Sequence, residues 1–436
     1  MKPVPLAARF QSRIILPLRS IFSDALYRGS LILITNTVAA SVIGFVFWSL
    51  AAHLYPASSI GVFAGVTSGA GLLAAIAALG LPNVIIRHIA SAKNARELMI
   101  VAVTAIVTVG TALCLIVVLV FGPRLPPSMD LRQRGGMAIL VTALVVFAAV
   151  SNILDVGLIA TRASHSVLIK NLAGSIARVA AMLLLVSFPS SGLLIAYALG
   201  MGLSVVLGGV LLDRQIREKK ARFGSLRVMR SHLSITSGNY IATIMGILPV
   251  SIVPLQVLVV LGATQTGRFA VAFLICGFLN VIPSTVAQVL FAEASREGAS
   301  LQGQVRKAVR GVYGLLLPAI FIVIVAAPLI LSLFGAAYAV AATDCLRVLA
   351  LSALFTGGTY LVDSVLIARD RIAAYVFMNG ANAALVLGLV GILVSRGLTA
   401  AAVGWALAQG LSLLLGLVVV AAARRNRSKG HAVSRP

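Results

Sequence analysis

Apolar residues in this chain gather into long runs separated by short polar connections. About twenty consecutive apolar residues are needed for a helix to cross the hydrocarbon core of a bilayer. Twelve runs of that kind occur, near 29–52, 60–82, 98–121, 137–161, 168–188, 192–212, 235–261, 266–292, 309–334, 344–368, 372–395 and 399–423. The pattern predicts an all-α polytopic membrane protein with about twelve spanning helices. The longer connections are basic: a tail over 1–28, a linker over 213–234 and a tail over 424–436.

Composition strengthens this reading. Hydrophobic residues make up 60% of the chain and charged residues 11%, against about 45–50% and about 25% in soluble domains. The mean hydropathy is +1.06. The formal charge of +24 would suggest nucleic acid on a soluble protein. Here the basic residues cluster between apolar runs, which points to membrane topology and anionic headgroups instead. With the N-terminus placed in the cytoplasm, 28 of the 35 Lys and Arg residues fall on cytoplasmic segments and 6 on outer ones. This positive-inside bias predicts a plasma (inner) membrane protein with both termini cytoplasmic. The mixed basic and apolar stretches 9–28 and 213–234 read either as amphipathic helices on the inner leaflet or as solvated linkers.

The chain also repeats itself. Ala57-Ser58-Ser59-Ile60-Gly61-Val62-Phe63-Ala64 returns as Ala263-Thr264-Gln265-Thr266-Gly267-Arg268-Phe269-Ala270, at the start of the second and eighth spanning helices. Asp155, Leu158, Ile159, Ala160, Asn171 and Ala173 return as Asp363, Leu366, Ile367, Ala368, Asn379 and Ala381. The offsets nearly agree, and each match falls on corresponding helices. The expected organisation is two parallel six-helix lobes, 29–212 and 235–423, with substrate between them and alternating access by rocking.

Charges deep in a spanning helix are costly and mark candidate sites. Asp155, Asp363 and Arg178 qualify. Asp155 and Arg178 sit about 10–12 Å in from Arg162 and Lys170, taken as the inner helix ends, so an Asp155–Arg178 ion pair is expected. Asp363 repeats Asp155, but Arg178 aligns with Val386. A carboxylate without a cation at that depth takes up a proton or a cation such as sodium, which makes Asp363 an ion-coupling candidate, with its repeat counterpart Asp155 as the other. The seventh helix opens on Ser237-Gly238-Asn239-Tyr240 and contains Gly246, Pro249 and Pro254. The prolines should bend or break it, as in helices that line transport cavities. Gly61, Gly65 and Gly69 give GxxxG spacings suited to close helix packing. Cys114, Cys276 and Cys345 lie far apart, and neither they nor the histidines show metal-ligand spacing. No catalytic constellation or cofactor motif is present, so no enzyme activity or cofactor is expected.

Several motifs carry a family resemblance. They are Leu54-Tyr55-Pro56 leading into Ala57-Ser58-Ser59-Ile60-Gly61, and Leu79-Gly80-Leu81-Pro82-Asn83 followed by Arg87-His88. Later come Asn379-Gly380-Ala381-Asn382, and Gly397-Leu398-Thr399 followed by Gly404-Trp405. In this order and spacing the chain resembles the polysaccharide-biosynthesis (Wzx-type) oligosaccharide flippases of the MOP exporter superfamily. The resemblance implies a V-shaped pair of lobes that translocates a lipid-linked oligosaccharide to the outer leaflet, with membrane lipids and a coupling proton or sodium ion as partners and no nucleic acid. It further implies a cavity with cations for a phosphate or pyrophosphate. The substrate-cavity candidates are Arg28, Asn36, Arg87, Arg178, Asn239, Tyr240 and Arg268. Two other readings stay open: a MATE-like cation-coupled multidrug antiporter, and a membrane-embedded glycan polymerase or ligase.

Overall fold

The computed structural model describes residues 25–89, 95–121, 135–189, 191–217, 237–294 and 301–433. Among them the regular structure is helical throughout: α1 (Ala25–Leu54), α2 (Ala57–Ala77), α3 (Leu81–His88), α4 (Ala95–Phe121), α5 (Gly135–Ala160), α6 (Ser164–Leu184), α7 (Gly192–Arg217), α8 (Ser237–Leu261), α9 (Ala263–Ala294), α10 (Leu301–Ser332), α11 (Ala336–Ala368), α12 (Ile372–Leu393) and α13 (Leu398–Val433). Twelve are long and apolar enough to span a membrane; α3 is the short exception. These are the twelve runs read from the sequence, and the chain is a multi-pass membrane protein. Ile139, Leu119 and Leu184 point outward with most of their surface exposed. Such a surface is stable facing lipid and unstable facing water.

Three local features depart from the expectation. The second apolar run divides at Leu79 and Gly80, both at positive φ, and restarts as α3 with Pro82 in its first turn. There Pro's missing N–H costs nothing. Both prolines of α8 are accommodated inside one continuous helix. The segment 424–436, expected as a tail, is helical as far as Val433 as the end of α13. The basic stretches 9–28 and 213–234 lie largely outside the described residues.

The two halves pack by one plan. In the first, α6 lies against α7, α5 against α7, α1 against α6, α4 against α5 and α2 against α5. In the second, α12 lies against α13, α11 against α13, α8 against α12, α10 against α11 and α9 against α11. Each pair in one list is the positional equivalent of a pair in the other. Even the turns match. Arg162 and Asp370, 208 residues apart, both adopt the left-handed conformation. Ala163 N donates to Leu158 O and Arg162 N to Ile159 O; Arg371 N donates to Leu366 O and Asp370 N to Ile367 O. These are the two hydrogen bonds of a Schellman cap, made twice with residues other than glycine at the strained position.

The halves meet chiefly through α2, which packs on α8 and α9. The repeated motif packs against itself here. A Cβ on Gly61 would lie 1.8 Å from Ala263 O, and one on Gly267 would lie 2.2 Å from Ala57 O. Only glycine allows the backbones so close. At the other end of α2, the Tyr240 hydroxyl donates to Ile76 O at 2.7 Å.

Candidate functional site

The interior of the first half is organised around a residue that the sequence reading left at the membrane edge. Lys170 of α6 is fully buried. Its Nζ lies 2.9 Å from Asp155 Oδ1 and donates to Ser151 Oγ at 2.8 Å, Asn171 Oδ1 at 2.9 Å and Ser204 Oγ at 3.4 Å. Asn171 Nδ2 in turn reaches Asp155 Oδ1 at 3.5 Å and Asn36 Oδ1 at 3.4 Å. Gly208 leaves room for the lysine stem; a Cβ there would come within 2.8 Å of it. A buried ammonium needs both a counter-ion and acceptors for its remaining protons, and this cluster supplies both.

The expected Asp155–Arg178 pair is therefore corrected to Asp155–Lys170. The error lay in taking Lys170 as the inner end of its helix. α6 begins at Ser164, so Lys170 and Asp155 stand at matching depths on either side of the turn at 161–163. Arg178 lies eight residues further along, about 12 Å away at about 1.5 Å per residue. Lys170 also leaves the cytoplasmic tally of basic residues, which does not alter the bias.

Arg178 makes no ion pair among the described residues. Its guanidinium carbon sits 5.6 Å from the ring centroid of Phe47 and 5.4 Å from that of Tyr197. Its Nε is buried without a hydrogen-bond partner. Small cavities of about 100 Å³ and 80 Å³ border it, one lined by Trp48, Phe63 and Thr67, the other by Ser151, Asn171, Ser175 and Ser204. Cation–π contacts contribute from about 0.5–1 kcal/mol where exposed to about 2 kcal/mol or more where desolvated, and Arg178 is partly buried. The two rings thus hold the guanidinium in place where no counter-ion stands among the described residues.

The second half repeats the polar frame without the cations. At the single offset of 208, Ser151, Asp155, Asn171 and Ser204 correspond to Thr359, Asp363, Asn379 and Ser412, while Lys170 and Arg178 become Met378 and Val386. Asp363, Asn379 and Thr359 open into a cavity of about 450 Å³, also lined by Asn280, Asn382 and Gln409. No Lys or Arg is among its lining residues, and Asp363 Oδ1 has no hydrogen-bond partner. A second large cavity, about 430 Å³, lies between the halves and is lined by Asn83, Asn152, Tyr240 and Thr243 among small Ala and Gly residues. Thr243 and Ile247 of α8 border both cavities.

The sequence candidates thus separate. Asn36 and Asp155 join one cluster through Asn171, and Arg178 stands beside it. Tyr240 lines the cavity between the halves, and Asp363 its own. Arg268 lines none of these cavities, and its Nε is buried without a partner. The side chains of Arg28, Arg87 and Asn239 lie outside the described residues. Sequence reasoning missed Lys170, Ser151, Ser204, Asn83 and Asn152. The signal for Lys170 was present: within an otherwise matched repeat, it is the charged residue that faces a methionine.

No protein-family model matches the chain, and no curated protein matches it by sequence. Solved structures do match it over nearly their whole length. One is the inward-facing conformation of a multidrug resistance MATE family transporter of the MOP superfamily, with a TM-score of 0.69 at 15% identity, covering 91% of this chain and 96% of that one. Another is the lipid II flippase MurJ in an inward closed conformation, with a TM-score of 0.68 at 13% identity, covering 89% and 87%. A third is a MATE in complex with MaL6, with a TM-score of 0.61 at 15% identity, covering 92% and 97%. The chain has the fold of the MOP-superfamily transporters.

Proposed function

We propose that this protein is a membrane transporter that flips a lipid-linked oligosaccharide, a glycan on a polyprenyl phosphate carrier, from the inner to the outer leaflet of the plasma membrane. The observation that carries the reading is the cavity between the halves. Amides of Asn83 and Asn152 and hydroxyls of Tyr240 and Thr243 project among small residues, and no described lining residue is charged. That surface matches sugar hydroxyls, which donate and accept hydrogen bonds but bear no charge. The polyprenyl tail stays in lipid, where moving it into the protein would gain nothing. The halves would part alternately at the Gly61–Gly267 end and at the Tyr240 end, about helices that share one packing plan. With both termini cytoplasmic, the glycine contact closes the outer side.

Asp363 is the proposed binding site for a coupling proton or sodium ion. Its cavity and the glycan cavity share α8, so occupancy of one bears on the shape of the other. A second reading draws on the same residue: a lone carboxylate in a 450 Å³ cavity also suits a cationic drug, as in a cation-coupled multidrug antiporter. Purified protein in liposomes decides between them. Fluorescent lipid-linked oligosaccharide in one leaflet should reach the other faster than in empty liposomes, and Asp363→Asn should slow this mainly when a gradient drives it. Export of cationic dyes with no movement of the glycan lipid, under proton and sodium gradients alike, would overturn the flippase reading.

A further inference from the structure

We propose that the cytoplasmic end of α10 is a binding site for an anionic phospholipid of the inner leaflet, held by Arg306, Lys307 and Arg310. The site lies on the outside of the second half, lines neither large cavity and is independent of the cargo. Its leaflet follows from the excess of basic residues on the segments assigned to the cytoplasm.

α10 is longer than a crossing requires. It has 32 residues, and about twenty suffice. About twenty counted back from Ser332 reach Tyr313. Arg310 and Arg306 then stand about 5 Å and about 10 Å beyond it, at about 1.5 Å per residue, which is the level of the lipid headgroups. Packing fixes how these extra turns face. Ala308, Val312, Leu316 and Ile320 recur every four residues on one side and are buried in a cluster with Ala350 and Leu361 of α11. Arg306, Lys307 and Arg310 are exposed on the other side, in line with the exposed Leu317, Phe321 and Val325. The cations and the lipid-facing apolar stripe therefore form one continuous face. Between them Gly311 and Gly314 leave a hollow, since a Cβ at either would meet nothing within 4 Å.

The protein does not compensate these cations itself. None of the three makes an ion pair among the described residues, and the first turn of α10 holds no acid. Arg306 and Arg310 are four residues apart, a spacing at which like charges repel. α4, the equivalent helix of the first half, is built the other way: Glu97 stands in its first turn, and Arg96 lies 3.3 Å from Asp213. A phosphate diester supplies oxygens for the arginine forks, and the acyl chains below it run along the stripe and over the glycine hollow. A soluble polyanion would satisfy the cations and leave the stripe unmatched, so the occupant is a lipid.

The native cysteines are buried, so a bimane label on Leu317→Cys reports the lipid beside the stripe. The full-length protein is reconstituted in phosphatidylcholine vesicles containing a fixed share of lipid with brominated chains, either phosphatidylglycerol or phosphatidylcholine. Quenching by the brominated phosphatidylglycerol should be the stronger, corresponding to association tighter by about fivefold or more, the effect of one cation near an anionic surface. Raising the salt to about 1 M should shrink the preference. The combined variant Arg306→Gln, Lys307→Gln and Arg310→Gln should abolish it, and Arg306→Lys, which keeps the charge, should retain most of it. The same label on the exposed Val107→Cys of α4 should show no preference. Unchanged quenching by phosphatidylcholine shows that the combined variant is folded and embedded. Equal quenching by the two lipids at Leu317→Cys, or a preference that survives in the embedded combined variant, would overturn the site. An equal preference at Val107→Cys would overturn it too, as the general attraction of a basic protein for anionic lipid. Loss of the preference on adding glycerol 3-phosphate would overturn the assignment to a lipid, because the free anion would then suffice.

Discussion

Replacing Gly61 by alanine should separate the two halves at the repeated motif. A Cβ at that position lies 1.8 Å from Ala263 O and 2.9 Å from Gly267 N, where ordinary contact begins at 3.4 Å. The obstruction is backbone, so no side-chain rotation relieves it and the helices must move apart by about 1.5 Å. Two effects oppose. Alanine in a helix gains about 0.5–1 kcal/mol over glycine, and overpacking costs about 1–3 kcal/mol. A carbonyl at this distance belongs at the upper end of that range, which leaves a net cost of about 2 kcal/mol, or about thirtyfold in the ratio of joined to separated states. The native cysteines are buried, so spin labels can be placed through Ser58→Cys and Thr264→Cys. Their distance distribution should shift toward longer values in Gly61→Ala. Adding Gly267→Ala should shift it by less than the sum, because the first substitution already makes room for the second. Gly44→Ala, with nothing within 4 Å of the new atom, is the silent control. Unchanged distances and unchanged melting in Gly61→Ala would refute the reasoning.

Three further outcomes follow from the charged clusters and the topology. Lys170→Met should cost about 3 kcal/mol, the lower end of the range for a broken buried pair because Asp155 is partly exposed, while Lys170→Met combined with Asp155→Asn should cost less than the sum, read by thermal unfolding in a double-mutant cycle. Met378→Lys should place an ammonium beside Asp363 as Lys170 stands beside Asp155, and should make transport in liposomes insensitive to the ion gradient; an unaltered gradient dependence would count against Asp363 as the coupling site. A membrane-impermeant thiol reagent should label Ser58→Cys from outside intact cells, and labelling from the inside alone would reverse the orientation.

The fold was legible because the bilayer imposes it. Twenty apolar residues with short basic connections admit few structures besides a spanning helix, and the repeat follows from direct comparison of the chain with itself. Division of the second run at Gly80 was less visible, since Leu79-Gly80-Leu81-Pro82 is apolar enough to read through. The site was legible only in part. Asp155, Asp363 and Arg178 were found because buried charges are rare in membranes. Their partners were not, because pairing depends on the phase of two antiparallel helices, and a four-residue error in where α6 begins moves a side chain by about 6 Å. Lys170 looked like an ordinary interfacial lysine for that reason. The neutral cavity had no signature at all: Asn83, Asn152, Tyr240 and Thr243 come from three elements and converge only in the folded protein.

The repeat also shows how two halves with one packing plan come to differ in charge around the same polar frame. The polar frame persists at Ser151 and Thr359, at Asp155 and Asp363, at Asn171 and Asn379, and at Ser204 and Ser412. Two residues on one helix separate the halves: Lys170 and Arg178 on α6 stand where Met378 and Val386 stand on α12. All four point into protein rather than toward lipid, with Lys170, Met378 and Val386 fully or almost fully buried and Arg178 beside two adjacent rings. The ammonium of Lys170 lies 2.9 Å from Asp155, so that carboxylate is compensated from within the fold. Methionine at the equivalent place cannot do this for Asp363, whose cavity has no Lys or Arg among its lining residues. Because buried charge is costly and the frame around it is otherwise the same, these two exchanges change the charge beside the two aspartates while leaving the helix packing intact.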